Sequence, residues 1–258
     1  MTHMNATRTP IALVTGASRG LGRATALALA GRGTDVVLTY LTNADAARET
    51  VASIEALGRR AVALQLDGGD VATFDAFVVR LRAALAERFE ADTIDYLVNN
   101  AGHGTYATFL ETTQAQFDRL ADVHLKGVFF LTQALVPLLA DGGRIVNLSS
   151  GLTRFSMPGY AAYAAMKGAV EVLTRYLAAE LGAREITVNT FAPGAIETDF
   201  GGGAVRDDAG INAAIAAQTV LGRVGRPEDI GPAIASLLAD ENRWINAQRI
   251  EASGGMRV

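Results

Sequence analysis

The run Thr15-Gly16-Ala17-Ser18-Arg19-Gly20-Leu21-Gly22 joins a short apolar segment at 11–15 to an Ala/Leu-rich segment at 21–32. The first is strand-like and the second helical in composition. Glycines at such a junction allow a tight turn and a close approach of backbone to a pyrophosphate. The helix start adds free N–H groups and a partial positive charge. The spacing is G-x-x-x-G-x-G rather than the commoner G-x-G-x-x-G. In its strand–turn–helix setting it predicts dinucleotide binding, against the alternative of glycines kept only for helix packing.

Downstream the alternation repeats. Strand-like apolar runs fall at 35–40, 61–66, 94–98, 144–148 and 186–191, with a last candidate at 248–251. Helical stretches fall at 44–57, 71–89, 114–139, 161–181 and 227–238. Continuous apolar strands alternating with helices predict an α/β fold, a Rossmann-type doubly wound parallel sheet in three α/β/α layers. No linker, repeat or low-complexity tract interrupts the chain. A single domain over 10–258 is therefore expected, preceded by a flexible N-terminus at 1–9. Gly201-Gly202-Gly203 and Asp207-Asp208-Ala209-Gly210 lead to the expectation of a mobile lid over about 195–220.

The chain has 258 residues, half of them apolar, and a net charge of −4, which offers no surface for nucleic acid or an anionic membrane. There is no Cys, which excludes disulfides and thiolate chemistry. His3, His103 and His124 lack metal-ligand spacing, so no metal is expected. With no signal-peptide core and no charge-free apolar run of membrane-spanning length, a cytoplasmic protein is expected.

Tyr163 and Lys167 stand four apart within 161–181, on one face of the expected helix. A nearby ammonium favours the phenolate and is expected to lower the Tyr pKa from about 10, fitting Tyr163 to acid–base work. Of 23 lysines and arginines, only Lys126 and Lys167 are lysines. An ammonium is not interchangeable with a guanidinium, so a lysine at 167 hints at a catalytic pair. Taken alone, the spacing arises often by chance on helices, and the catalytic reading draws its weight from the motifs upstream.

Four motifs occur in order: Thr15 to Gly22, Leu97-Val98-Asn99-Asn100-Ala101-Gly102, Ser150 with Tyr163-x-x-x-Lys167, and Pro193-Gly194. Together they resemble the short-chain dehydrogenase/reductase family over roughly residues 10–255. The resemblance implies an NAD(P)-dependent oxidoreductase that moves hydride between nicotinamide and a ketone or secondary alcohol. It implies cofactor contacts at Gly16, Ser18, Arg19, Leu21 and Gly22, at Asp67 and Gly68, and at Asn100, Ala101 and Gly102. Pro193, Gly194 and Ile196 are implied at the carboxamide end. Tyr163 is then the general acid/base, Ser150 holds the substrate oxygen, and Lys167 lowers the Tyr pKa and binds the nicotinamide ribose. Ser150, not Ser149, has the family's separation of thirteen from Tyr163. Where the family usually has a fourth catalytic residue, Asn, this chain has His124, read as a water-chain member or a packed histidine. Ala247 precedes Gln248 where the family often has Gly, which implies a local backbone change.

An acid at the end of the second strand would bind the ribose hydroxyls of NAD(H). Tyr40 and Leu41 stand there instead, and Arg19 can pair with a 2′-phosphate. NADP(H) is therefore favoured, with NAD(H) possible. The resemblance and the small residues of 161–181 point to a homotetramer. Phe155, Met157, Tyr160 and Phe200 are expected to line a partly apolar pocket for a small carbonyl or alcohol substrate. The alternative, a 3-oxoacyl-acyl-carrier-protein reductase, needs basic groups beside the cleft. Arg184 could serve, but Asp141 has the wrong sign. A non-catalytic NADP(H) sensor or scaffold would not need the intact Ser, Tyr and Lys set.

Overall fold

A computed structural model describes residues 8–258. Most of the stretch expected to be flexible, 1–9, lies outside the described residues. In chain order, β1 (Ile11–Val14) leads to α1 (Gly20–Gly31), β2 (Asp35–Tyr40), α2 (Ala44–Ala56), β3 (Ala61–Gln65) and α3 (Phe74–Ala84). There follow β4 (Ile94–Asn99), α4 (Gln114–Ala121), α5 (Gly127–Leu135), β5 (Leu139–Leu148), α6 (Ala161–Leu181) and β6 (Thr187–Pro193). Then come α7 (Ala204–Asp207), α8 (Ala209–Ala216), α9 (Pro227–Leu237) and β7 (Arg249–Ala252).

The seven strands are all parallel, in the order β3-β2-β1-β4-β5-β6-β7. The chain winds outward from β1 to β3, returns to lay β4 beside β1, and winds out the other way. The connections leaving β1 and β4 therefore diverge, and a crevice opens at the carboxyl ends of these strands. Alternate strand residues feed two cores. Ala12 and Val14 pack with Leu29, Ile54 and Ile234 from α1, α2 and α9. Ile11 and Leu13 pack with Phe77, Leu131 and Ala178 from α3, α5 and α6. Burial on both faces is why the strands read as unbroken apolar runs, and the three-layer, doubly wound expectation is met.

Three local expectations are corrected. The helix read across 71–89 starts as a 3₁₀ turn at Val71–Thr73, capped by Asp70, and ends in a π turn at Leu85–Phe89. The helix read across 114–139 is cut by a π turn at Asp122–Lys126, and β5 begins at Leu139 rather than 144. Just after that turn, a Cβ on Gly127 would overlap the Gly68 carbonyl oxygen, so the helix rests directly on the backbone following β3. Within the span expected to form a lid, Phe200–Gly203 forms a 3₁₀ turn ahead of α7 and α8, and Asp208 caps α8.

At Ala247 the backbone keeps the left-handed conformation a glycine would take, with φ 58°. Asn246 holds it there, its Oδ1 accepting from Val188 N and Ala247 N at 2.9 Å each.

Candidate active site

A cleft of about 730 Å³ runs along the carboxyl ends of the strands. Every residue named above as a cofactor or catalytic candidate lines it.

The glycine turn forms one end. Gly16 takes φ 64°, and a Cβ there would come within 2.9 Å of Ala101 Cα. No side chain caps the first turn of α1, so its N–H groups are free for an anionic ligand. Asn100 braces the turn from β4, donating from Nδ2 to the carbonyls of Thr15 (2.7 Å) and Gly16 (3.2 Å). The amide expected on the cofactor is thus committed to the turn that would cradle it. Asp67 accepts from Gly69 N at 2.9 Å, so it makes its own turn while facing the cleft.

Beyond the turn, Tyr40, Leu41, Thr42 and Asn43 bring no carboxylate to the cleft, and the Asn43 side chain caps α2. Arg19 is 70% exposed and reaches Asp199 at 3.3 Å, while Arg206 holds the other Asp199 oxygen at 2.5 Å. An uncapped helix start, a glycine cradle and an exposed guanidinium suit a pyrophosphate and a 2′-phosphate, and the cleft fits NADP(H).

Across the cleft, α6 presents Tyr163 and Lys167 one turn apart, and the end of β5 delivers Ser150. Ser149 turns away and donates to Glu171 at 2.6 Å. Lys167 Nζ donates to the Leu148 carbonyl at 2.7 Å and lies 5.7 Å from the Tyr163 ring centroid. Burial lowers the Lys167 pKa to about 8. It also raises that of Tyr163, against a smaller lowering by a hydrogen bond with Ser150. The expected lowering of the Tyr pKa by the ammonium is therefore reversed in this form. Desolvation dominates, and one N–H of the Lys167 ammonium is engaged by the Leu148 carbonyl.

His124 sits in the π turn and is buried. Its Nε2 lies 2.8 Å from the His103 carbonyl and 3.3 Å from the His103 N–H, so Nε2 donates in one tautomer and accepts in the other. Nδ1 is buried without a partner among the described residues. Burial, then the charge of Lys167, lowers the His124 pKa to about 2.

The far end of the cleft is apolar. Phe200 lies 5.6 Å from the Tyr163 ring and rests on Gly104, where a Cβ would collide with its ring. Phe155, Met157 and Tyr160 line this end as expected, joined by Ile215 and Met256, which sequence reasoning missed. Arg184 is elsewhere. It bonds Asp141 (2.7 Å) and the Val136 carbonyl (2.9 Å) beside the start of β5, away from the cleft, so it cannot receive an acidic carrier there. Among the described residues, no group of three His, Asp or Glu is placed to hold a metal.

A family model described as Enoyl-(Acyl carrier protein) reductase matches residues 16–257. Among solved structures, the chain is 42% identical to LugOII, described as a promiscuous reductase catalysing keto-reduction at C1 during lugdunomycin biosynthesis. The TM-score is 0.91, covering 96% of this chain and 97% of that one. It is 39% identical to the angucycline C-6 ketoreductase LanV with bound NADP, at a TM-score of 0.91 over 96% of this chain and 95% of that one. It is 35% identical to the tetrahydroxynaphthalene reductase PfmaG of Pestalotiopsis fici, over 95% of this chain and 90% of the relative. A chain with this sheet, this cleft and these relatives belongs to the short-chain dehydrogenase/reductase family of oxidoreductases.

Proposed function

We propose that the protein reduces a ring ketone of a polycyclic aromatic compound, with Tyr163 as proton donor. One observation carries this reading. Ser150 and Tyr163 share their cleft with an apolar compartment walled by Phe155, Met157, Tyr160, Phe200, Ile215 and Met256. Flat aromatic faces and thioethers suit a flat, largely apolar ligand. The fused-ring compounds named for LanV and PfmaG point the same way.

The turn from Gly16 to Gly22 would hold the pyrophosphate, Arg19 the 2′-phosphate, and Asp67 and Gly68 the adenine end. Ala101 and Gly102 would lie along the cofactor, Lys167 would hold the nicotinamide ribose, and Pro193, Gly194 and Ile196 would wall the carboxamide. NADPH, when bound, supplies the hydride. Ser150 donates a hydrogen bond to the substrate carbonyl oxygen, and Tyr163 gives that oxygen its proton. Burial keeps the phenol protonated, the form a reduction requires. His124 anchors, at Nδ1, a water that passes the replacement proton.

Residues 195–220 act as a lid of the single domain, with Phe200 against Tyr163 in its closed position. The protein assembles as a homotetramer. Supporting this, Phe117, Phe129, Phe130, Val172 and Tyr176 on α4, α5 and α6 are all exposed. Light scattering returning a monomer at micromolar concentration would refute the assembly. No helix among the described residues is long and apolar enough to cross a membrane. A cytoplasmic site of action fits a reductase that draws on NADPH.

The test is a panel of polycyclic aromatic ketones, small free ketones and a carrier-linked acetoacetyl group, followed by NADPH absorbance. The polycyclic ketones should show kcat/KM about tenfold or more above the others. Equal or faster turnover of the carrier-linked substrate overturns the proposal.

A further inference from the structure

We propose that the ion pair between Glu171 and Arg249 is a positioning device for Ser150. The inference rests on the role given to Ser150 above. Ser150 stands on a short irregular connection, just before a 3₁₀ turn at Gly151–Thr153. The hydroxyl itself has one local tie, Oγ accepting from Leu152 N at 3.2 Å, and the rest of the segment has no strand ladder. One carboxylate oxygen supplies the anchorage. Glu171 Oε1 accepts from Ser149 Oγ at 2.6 Å, Thr153 Oγ1 at 2.7 Å and Arg249 Nε at 2.8 Å. Two of these donors flank Ser150 in the chain. Arg249, from β7, also donates through Nη2 to the Ser150 carbonyl at 3.3 Å and through Nη1 to Glu251 at 2.9 Å.

Glu171 and Arg249 are mostly buried, with side chains 16% and 25% exposed, yet neither lines the cleft. They therefore act through Ser150 and not on the reacting atoms. Glu171 lies one turn beyond Lys167 on α6. It thus ties the Ser150 connection to the helix that carries the phenol and the ammonium. Charge-assisted bonds are the strong kind, and a network with every donor paired holds one arrangement. An error of about 1 Å in a catalytic group can lower the rate about a hundredfold.

The test compares Glu171→Ala, Ser150→Ala and the double variant. Alcohol oxidation requires the phenolate, and a well-aimed Ser150 stabilises it. Glu171→Ala should lower kcat about tenfold and move the midpoint of the oxidation pH profile upward, with NADPH affinity by fluorescence unchanged. In the Ser150→Ala background the same change should have no further effect. Glu171→Gln keeps the volume and an acceptor oxygen, and should show a smaller loss in the same direction. It carries the test should Glu171→Ala fail to fold. Parental kcat and midpoint in both Glu171 variants overturn the proposal, as does a full further loss in the Ser150→Ala background. If Ser150→Ala itself turns over at the parental rate, the role of Ser150 falls and takes this proposal with it. A slow Ser150→Ala beside normal Glu171 variants removes the ion pair's role alone.

Discussion

The imidazole of His124 meets the phenol ring of Tyr163 edge-on, with centroids 5.1 Å apart and planes at 89°. The same imidazole carries a buried Nδ1 that no described residue satisfies. A bare ring nitrogen beside a phenol is a place for a bound water, since buried polar atoms are otherwise paired.

His124→Asn is expected to keep most activity, and His124→Ala to lose about tenfold or more in kcat. A parental kcat in His124→Ala would reduce the residue to packing. The low pKa moves any acid limb from His124 far below the range near 6.5 where an unperturbed histidine would place it. Stability has the opposite sensitivity. The unfolded chain takes up a proton near 6.5 that the native site refuses. The contribution is therefore full above that pH and falls by up to about 1.4 kcal/mol per pH unit below it. Melting of His124→Asn should depend less on pH between about 6.5 and 5 than melting of the parent.

Tyr163→Phe deletes one hydroxyl and leaves the ring against His124 and Phe200. Turnover should fall by about 10²- to 10⁴-fold while NADPH binding, followed by fluorescence, is unchanged. Near-normal turnover would reject Tyr163 as the proton donor.

In its proposed role on the 2′-phosphate, Arg19 must leave Asp199, which it meets at 3.3 Å in this form. Arg19→Ala should narrow the NADPH over NADH preference by about tenfold, mostly through KM for NADPH. Asp199→Asn frees the guanidinium and should lower that KM a few-fold at low salt, the gain shrinking as salt is added. An unchanged preference in Arg19→Ala would assign the phosphate elsewhere.

Ala247→Gly is expected to stabilise the fold. A left-handed conformation costs an L-residue about 1–2 kcal/mol, and Ala247 holds φ 58°. The melting temperature should rise by about 2–4 °C with kinetics unchanged. A lower melting temperature would mean that the methyl group contributes more by packing than the backbone loses.

The fold was legible because burial on both faces leaves apolar runs such as Ile11–Val14 in β1 and 36–38 in β2, with no polar alternation. The cleft was legible because parallel strands deliver their following residues to one edge, so Gly16, Asn100, Ser150 and Gly194 fall together from distant positions. The π turn at Asp122–Lys126 left no signal, since one extra residue hardly disturbs apolar spacing over twenty. Glu171 drew no notice in the sequence, because its partners lie on β7 and beside Ser150. The titration of Tyr163 was misjudged for a related reason. Spacing revealed the neighbouring ammonium, while the depth of burial depends on tertiary neighbours such as Phe200 and His124.

The π turn also makes this stretch sensitive to chain length in an unusual way. It spends one residue more than an α-helix needs, and each residue turns the helix by about 100°. Removing Val123 would let 114–135 wind as one uninterrupted α-helix, with better local hydrogen bonding than the native chain has. The same deletion would swing either His124 away from Tyr163 or Gly127 away from the Gly68 carbonyl. A shorter, more regular helix would thus fold well and serve the cleft badly, so a one-residue deletion here should do more harm than most substitutions at the same positions.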